Sequence, residues 1–75
     1  MKVRKFLKQF HGYTVFEIIE HNEKIAVGEI QDFLETCPES ESLKKEIKKV
    51  ELTKNEKFKD LEGSDYPYLV ITVKD

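Results

Sequence analysis

The sequence predicts one small α+β domain, in which helices cover one face of a four-stranded antiparallel sheet in the order α-β-β-α-(short α)-β-β. Three observations predict it. The chain has only 75 residues, too few for two domains, so residues 1–75 are expected to form a single one. Apolar residues recur at helical spacing in two segments, and four other segments have the alternating or β-branched pattern of strands. Four strands are enough for a stable sheet.

The amino-terminal half predicts a helix followed by a β-hairpin. Gly12 is the expected left-handed stop of the helix, since glycine has no Cβ to penalise positive φ. Residues 13–20 are rich in β-branched and aromatic side chains and predict a strand, and residues 25–29 resume that pattern after a polar turn at 21–24. The helix is predicted by four apolar residues at i, i+3, i+4 and i+7: Val3, Phe6, Leu7 and Phe10.

The second half predicts a short helix, a helical turn and two more strands. Pro38 removes a backbone donor and should end a helix over residues 30–37. Residues 43–54 fit both a helical stripe and a strand, and the interpretation adopted is a helical turn to about residue 47 followed by a strand to about residue 54. Residues 55–66 are predicted to be a long loop, and residues 68–74 are the most strand-like run of the chain.

No pattern of catalytic or metal-binding residues is present, so the chain is expected to be neither an enzyme nor dependent on a cofactor. Cys37 lacks a neighbouring base, and the interpretation favoured for it is a small buried apolar residue that continues the stripe of the second helix. His11 and His21 do not match the ligand spacing of a zinc site and are expected to be exposed to solvent.

The charged residues are segregated along the chain, although the formal net charge is only −2. Residues 1–10 carry +4 and residues 44–59 carry +4, whereas residues 25–43 carry −5 with no basic residue. A net charge this small excludes nucleic-acid binding by bulk positive charge and nucleic-acid mimicry by bulk negative charge. Local patches of either sign remain as candidate binding surfaces.

Two sets of candidate binding residues follow from this segregation. The favoured set would bind a protein partner, because it joins an acidic helix to large apolar side chains in an otherwise polar loop. The alternative set consists of two basic blocks that would contact the phosphates of a nucleic acid. The residues of the first set are Glu29, Asp32, Glu35, Phe58, Leu61 and Tyr66, and those of the second are Arg4, Lys5, Lys8, Lys44, Lys45, Lys48 and Lys49.

Three short segments resemble small proteins of phages and mobile elements in Firmicutes. These segments are residues 3–7 (VRKFL), 12–15 (GYTV) and 28–34 (GEIQDFL), so the resemblance spans about residues 3–36. It implies a small accessory protein of a mobile element, a class that includes inhibitors of bacterial defence nucleases such as anti-CRISPR proteins. No functional residue is carried over from that class.

The expected function is therefore a non-enzymatic protein-interaction module, with a nucleic-acid-binding accessory protein as the alternative. The longest apolar run has only four residues, 68–71, and residues 1–5 are not followed by a signal-peptide apolar region. These two features predict a cytoplasmic protein without membrane contact. A homodimer through an edge strand is compatible with either function.

Overall fold

Two antiparallel strand pairs and two helices form the part of the chain that the computed structural model describes, residues 1–53 and 68–74. Their bounds are α1 Val3–Leu7, β1 Val15–Glu20, β2 Glu23–Glu29, α2 Ile30–Thr36, a 3₁₀ helix Glu41–Lys44, β3 Ile47–Thr53 and β4 Tyr68–Val73. The predicted order of elements is confirmed. The ambiguity at residues 43–54 is resolved into a 3₁₀ turn followed by a strand, and the loop predicted at 55–66 lies outside the described residues.

The sheet is mixed, which corrects the prediction that it is wholly antiparallel. Its strand order is β2-β1-β4-β3, and the two central strands β1 and β4 are parallel. The alternation of side chains within a strand is the same for either direction of the neighbouring strand, so that pattern cannot decide how two strand pairs join. A signal was present in the near-continuous apolar run Tyr68–Ile71, since strands of parallel pairs are often apolar on both faces.

A single apolar core lies between the helices and one face of the sheet. Alternate residues of the two central strands, Phe16 and Ile18 on β1 and Leu69 and Ile71 on β4, have no solvent exposure. They pack with buried side chains from the other elements: Val3 and Leu7 of α1, Ile30 of α2, Leu43 of the 3₁₀ helix and Val73 of β4. The cluster contains only alternate residues of each central strand, which all lie on one face of the sheet, as expected if the helices cover that face.

The first helix is shorter than predicted, and the role predicted for Gly12 was wrong. α1 ends at Leu7, and Phe10 continues the turn by donating from its amide to the Leu7 carbonyl at 3.2 Å. The backbone at Gly12 is not left-handed. A Cβ there would lie 2.8 Å from Oε1 and 2.9 Å from Cβ of Gln31, so glycine is needed because α2 approaches closely.

The first hairpin turns through two residues in the left-handed region. His21 and Asn22 have φ of 53° and 66°, which is the geometry of a two-residue type I′ turn, and both are exposed. Asparagine tolerates this conformation better than most residues with a side chain, which agrees with the predicted turn. Ile25 is the extra residue of a bulge in β2, because Ile18 pairs with Ala26 and Ile19 pairs with Lys24.

The two edges of the sheet differ. At the start of β3 the amino-terminal residues pair with the strand, since Val3 donates to the Lys45 carbonyl and Ile47 donates to the Met1 carbonyl, both at 3.0 Å. Lys48, Lys49 and Glu51 place charges along the rest of β3. On β2, at the other edge, Ile25 is 39% and Val27 is 51% exposed.

Candidate protein-interaction surface

The acidic surface, defined as Glu29, Asp32, Glu35 and Glu39, lies on and beside α2. Asp32 and Glu35 are exposed, as predicted for the outer side of this helix; Glu39, in the polar connection that follows it, is also exposed, and Glu29 at the end of β2 is half-buried. The helix presents Asp32 and Glu35 outward because its apolar residues at i, i+3 and i+4 pack against the core: Ile30, Phe33 and Leu34.

α2 is fixed to the sheet by its first turn and by an aromatic contact. The Ile30 amide donates to the Thr14 carbonyl and the Gln31 amide donates to the Gly12 carbonyl, each at 2.9 Å. The rings of Phe33 and Phe16 meet edge to face, with centroids 5.2 Å apart. The carboxylates of α2 are therefore held on a backbone that is already ordered, which lowers the entropy cost of binding a partner.

The acidic surface has no ion pair among the described residues, whereas every other acidic residue of residues 1–53 except Glu23 has one. Five of the ten carboxylates in residues 1–53 lie within 4 Å of a cationic group, the pairs being Glu17 with Lys24, Glu20 with Lys45, Glu41 with Lys44, Glu46 with Met1 and Lys2, and Glu51 with Lys49. Glu29, Asp32, Glu35 and Glu39 form no ion pair with any cation of residues 1–53 and 68–74. Of these four carboxylates, that of Glu35 accepts a hydrogen bond from the Gln31 side chain at 3.4 Å.

The basic blocks are only partly brought together. Lys2 and Arg4 at the amino terminus and Lys44 of the 3₁₀ helix line a shallow pocket of about 350 Å³ whose base is Leu43. All three of these cations already have partners, because Lys2 lies 3.7 Å from Glu46, Arg4 donates to the Pro38 carbonyl and Lys44 lies 3.7 Å from Glu41.

The remaining basic residues do not join that pocket. Lys45 is held 2.6 Å from Glu20. Lys48 and Lys49 line a different depression, of about 380 Å³, together with Val70 and Thr72. Lys5 and Lys8 are exposed on and just after α1. Of the two predicted basic blocks, only Arg4 and Lys44 therefore line a common pocket, together with Lys2.

The face of the sheet opposite the helices holds a polar network that the sequence analysis did not predict. The side chain of Glu17 is 14% exposed and lies 3.5 Å from Lys24. Tyr68 is 6% exposed, and its hydroxyl donates to Glu17. Burial, followed by the charge of Glu17, raises the pKa of Tyr68 above its ordinary value. The spacing of residues 17 and 68 carries no signal, since only the pairing of β1 with β4 brings them together.

Besides Tyr68, Glu46 is the other described residue whose pKa is clearly shifted from its ordinary value. The amino group of Met1 donates to Oε2 at 3.0 Å, and Lys2 lies 3.7 Å from Oε1. The hydrogen bond and charge of the Met1 amino group lower the pKa of Glu46. This pairing closes the bridge between the amino-terminal residues and the start of β3.

Cys37 is exposed, so the prediction that it is a buried apolar residue was wrong. α2 ends at Thr36, and Cys37 leaves helical geometry with φ −129° and ψ 52°, which turns its side chain away from the apolar stripe. His11 and His21 are exposed as expected. Within residues 1–53 and 68–74, no three His, Cys, Asp or Glu side chains are grouped so as to hold a metal ion.

Three of the predicted partner-binding residues, Phe58, Leu61 and Tyr66, lie outside the described residues. Of the other three, Glu29 is the last residue of β2 and Asp32 and Glu35 lie on α2, which follows it directly. Across the described ranges, no helix has the length and apolar character needed to cross a membrane. No protein-family model, curated protein or solved structure matches the chain.

Proposed function

We propose that the chain is a non-enzymatic protein-interaction module that binds a basic surface of a partner protein through its acidic surface. The observation that carries this proposal is the contrast in pairing: half of the acidic residues in residues 1–53 are neutralised by nearby cations, and four of the other five are grouped at 29–39. Carboxylates that are grouped along the chain and have no cationic partner among the described residues create a negative potential, which attracts and orients a positively charged partner.

The proposed partner is a protein with a basic surface for handling nucleic acid, such as a defence nuclease that a mobile element must inhibit. Such a surface carries Arg and Lys placed for phosphates, and those side chains also form charge-assisted hydrogen bonds with carboxylates. The small net charge of −2 makes mimicry of a long nucleic acid a poor fit. Occupation of a limited part of the partner's surface fits the size of the acidic surface better.

The first test measures binding of a fluorescent oligoarginine peptide at low ionic strength by fluorescence anisotropy. The double variant Asp32→Lys/Glu35→Lys should weaken binding by at least about 10-fold, because it removes two attractive charges and adds two repulsive ones. The matched control Glu23→Lys/Glu51→Lys makes the same change in net charge at exposed positions outside the acidic surface.

The control decides the result. Near-normal binding by the control and loss by the α2 variant support the acidic surface as the binding site. Equal losses in both variants would mean that only net charge matters and would count against a specific surface. Retained binding by the α2 variant would exclude Asp32 and Glu35 from the interface.

A second candidate function, binding of nucleic acid, is favoured by one observation, the convergence of Lys2, Arg4 and Lys44 around Leu43. It predicts that affinity for a DNA or RNA oligonucleotide falls steeply with salt, because contacts between cations and phosphates release counterions. Arg4→Glu should then reduce the affinity, whereas Lys74→Glu, an exposed charge at the end of β4, serves as the control. Absence of a mobility shift at low salt would reject this function.

A further inference from the structure

β2 is an edge strand whose outer side is exposed. The strand order places β1 on its inner side only, and no other strand of residues 1–53 and 68–74 pairs with it. An unprotected edge offers unpaired amide and carbonyl groups to another strand. β3, at the other edge, is partly covered by the amino-terminal residues and carries charges, whereas β2 exposes Val27 by 51% and Ile25 by 39%.

The hydrogen bonds of the first hairpin show which β2 residues face outward along the edge. The Ile30 amide donates to the Thr14 carbonyl, so Ile30 is at a bonded position of this antiparallel pairing. Bonded and non-bonded positions alternate, which directs the backbone groups of Gly28 towards β1 and those of Val27 and Glu29 away from it. Val27 therefore presents its amide and carbonyl at the middle of the open edge.

The side chains on the sheet face opposite the helices follow a self-complementary order along β2. Residues paired directly across two antiparallel strands share a face. Glu29, Val27 and Lys24 pair with Val15, Glu17 and Ile19 of β1, so all three lie on that face. The bulge at Ile25 keeps Lys24 in step with Val27 and Glu29 despite its odd spacing in the sequence.

We propose that two copies of the chain associate through their β2 strands, in antiparallel register centred on Val27. A two-fold axis through this position sets Val27 against Val27 of the second copy, and each valine exchanges both backbone hydrogen bonds with the other. Lys24 of each copy then faces Glu29 of the other. The interface has one apolar pair at its centre and two identical ion pairs beside it.

Charge complementarity selects a second copy as the occupant of this edge. Glu29 forms no ion pair with any cation of the described residues, and Lys24 is shared only with Glu17, at 3.5 Å. Other in-face registers do not satisfy both ends: a shift by one bonded pair removes the Lys24 to Glu29 matches. The proposal does not depend on the proposed function, because it needs only the isolated chain.

The test is sedimentation equilibrium of the purified chain between about 1 µM and about 1 mM, with circular dichroism to confirm folding. The natural sequence should show a monomer–dimer equilibrium. Lys24→Glu and Glu29→Lys each place like charges across both symmetric contacts, and each should raise the dimer dissociation constant by at least about 10-fold.

Mixing the two single variants gives the decisive measurement. In a heterodimer of Lys24→Glu with Glu29→Lys, both cross-strand contacts again join opposite charges, so an equimolar mixture should recover dimer that neither variant forms alone. Recovery by mixing does not depend on any change in stability that a single substitution causes within its own chain. As an independent check, Val27→Lys should abolish the dimer, because it sets two lysines against each other at the centre.

The proposal is overturned if the natural sequence remains monomeric over the whole concentration range, or if Val27→Lys leaves the dimer intact. It is also overturned if the mixed variants stay monomeric while each is folded. This outcome is separate from that of the oligoarginine test, in which Asp32 and Glu35 are changed and β2 is not.

Discussion

Thr14 is buried, and its hydroxyl has no hydrogen-bond partner among residues 1–53 and 68–74, so its replacement by valine is expected to stabilise the protein. The side chain is 1% exposed, and its Oγ1 makes no hydrogen bond in the described structure. A buried polar group without a partner costs about 1–3 kcal/mol relative to a satisfied one. Valine has nearly the same shape and replaces the hydroxyl by a methyl group, so the cavity stays filled.

The expected gain for Thr14→Val is about 1–2 kcal/mol in the free energy of unfolding. For a chain of 75 residues this corresponds to a rise in Tm of about 5–15 °C. The backbone contacts are kept, since the Thr14 amide donates to the His11 carbonyl and its carbonyl accepts from the Ile30 amide, both at 2.9 Å. Valine also favours extended backbone at least as well as threonine.

Urea unfolding and thermal melts followed by circular dichroism measure this change, with Thr14→Ser as the matched control. Serine keeps the hydroxyl and loses the methyl group, so it should lower the free energy of unfolding by about 1 kcal/mol. Opposite shifts of the two variants identify the hydroxyl as the unfavourable group. If Thr14→Val is less stable than the natural sequence, the hydroxyl has a partner and the reasoning is refuted.

Three further predictions concern the packing of α2 and the two perturbed ionisable groups. Gly12→Ala should lower the free energy of unfolding by about 1–3 kcal/mol, because the new Cβ clashes with Gln31. The control Gly28→Ala, whose Cβ would meet its nearest neighbour at 3.7 Å, should change it by less than about 1 kcal/mol. Equal losses of the two variants in urea unfolding would contradict this. Because the pKa of Glu46 is lowered in the folded protein, its carboxylate stabilises the fold above pH 4.5, the ordinary pKa, and this contribution is lost as the pH falls below that value. Glu46→Gln should therefore flatten the acid limb of a curve of unfolding free energy against pH. Superimposable curves for the variant and the natural sequence would refute the assignment. Because the pKa of Tyr68 is raised in the folded protein, its phenol ionises at lower pH in the unfolded chain, and the free energy of unfolding should fall as the pH rises above 10. Tyr68→Phe should remove that fall in melts at alkaline pH, at a cost of about 1 kcal/mol at pH 7. An unchanged alkaline limb would count against the raised pKa.

The acidic surface was predictable from sequence because its positions depend on local periodicity. In a helix that packs Ile30 and Phe33 against the core, Asp32 and Glu35 must point outward whatever the helix packs against. Their lack of ion pairs was not predictable. Whether a carboxylate meets a lysine depends on strand register and on contacts between distant segments, as in the pair of Glu20 with Lys45.

The positions at which the sequence-based predictions were wrong, Cys37 and Gly12, each have a specific physical cause. Cys37 fits the apolar stripe only if the helix continues, and the effect of Pro38 on the preceding residue ends it one position earlier. Gly12 was interpreted from its own conformational freedom, whereas its actual constraint is the approach of Gln31 from another element. Such steric constraints become visible only when both elements are placed.

Local sequence patterns encode the type and order of the secondary structure elements, the apolar faces of the helices and the segregation of charge. These properties arise from interactions over a few residues, so periodicity and composition encode them. The packing of distant segments sets the parallel pairing of β1 with β4 and the contact of Tyr68 with Glu17. It also leaves β2 at an edge of the sheet, with Lys24, Val27 and Glu29 on one face. Those outcomes depend on how two strand pairs join, and the free energy that selects the arrangement comes from burial of a shared core.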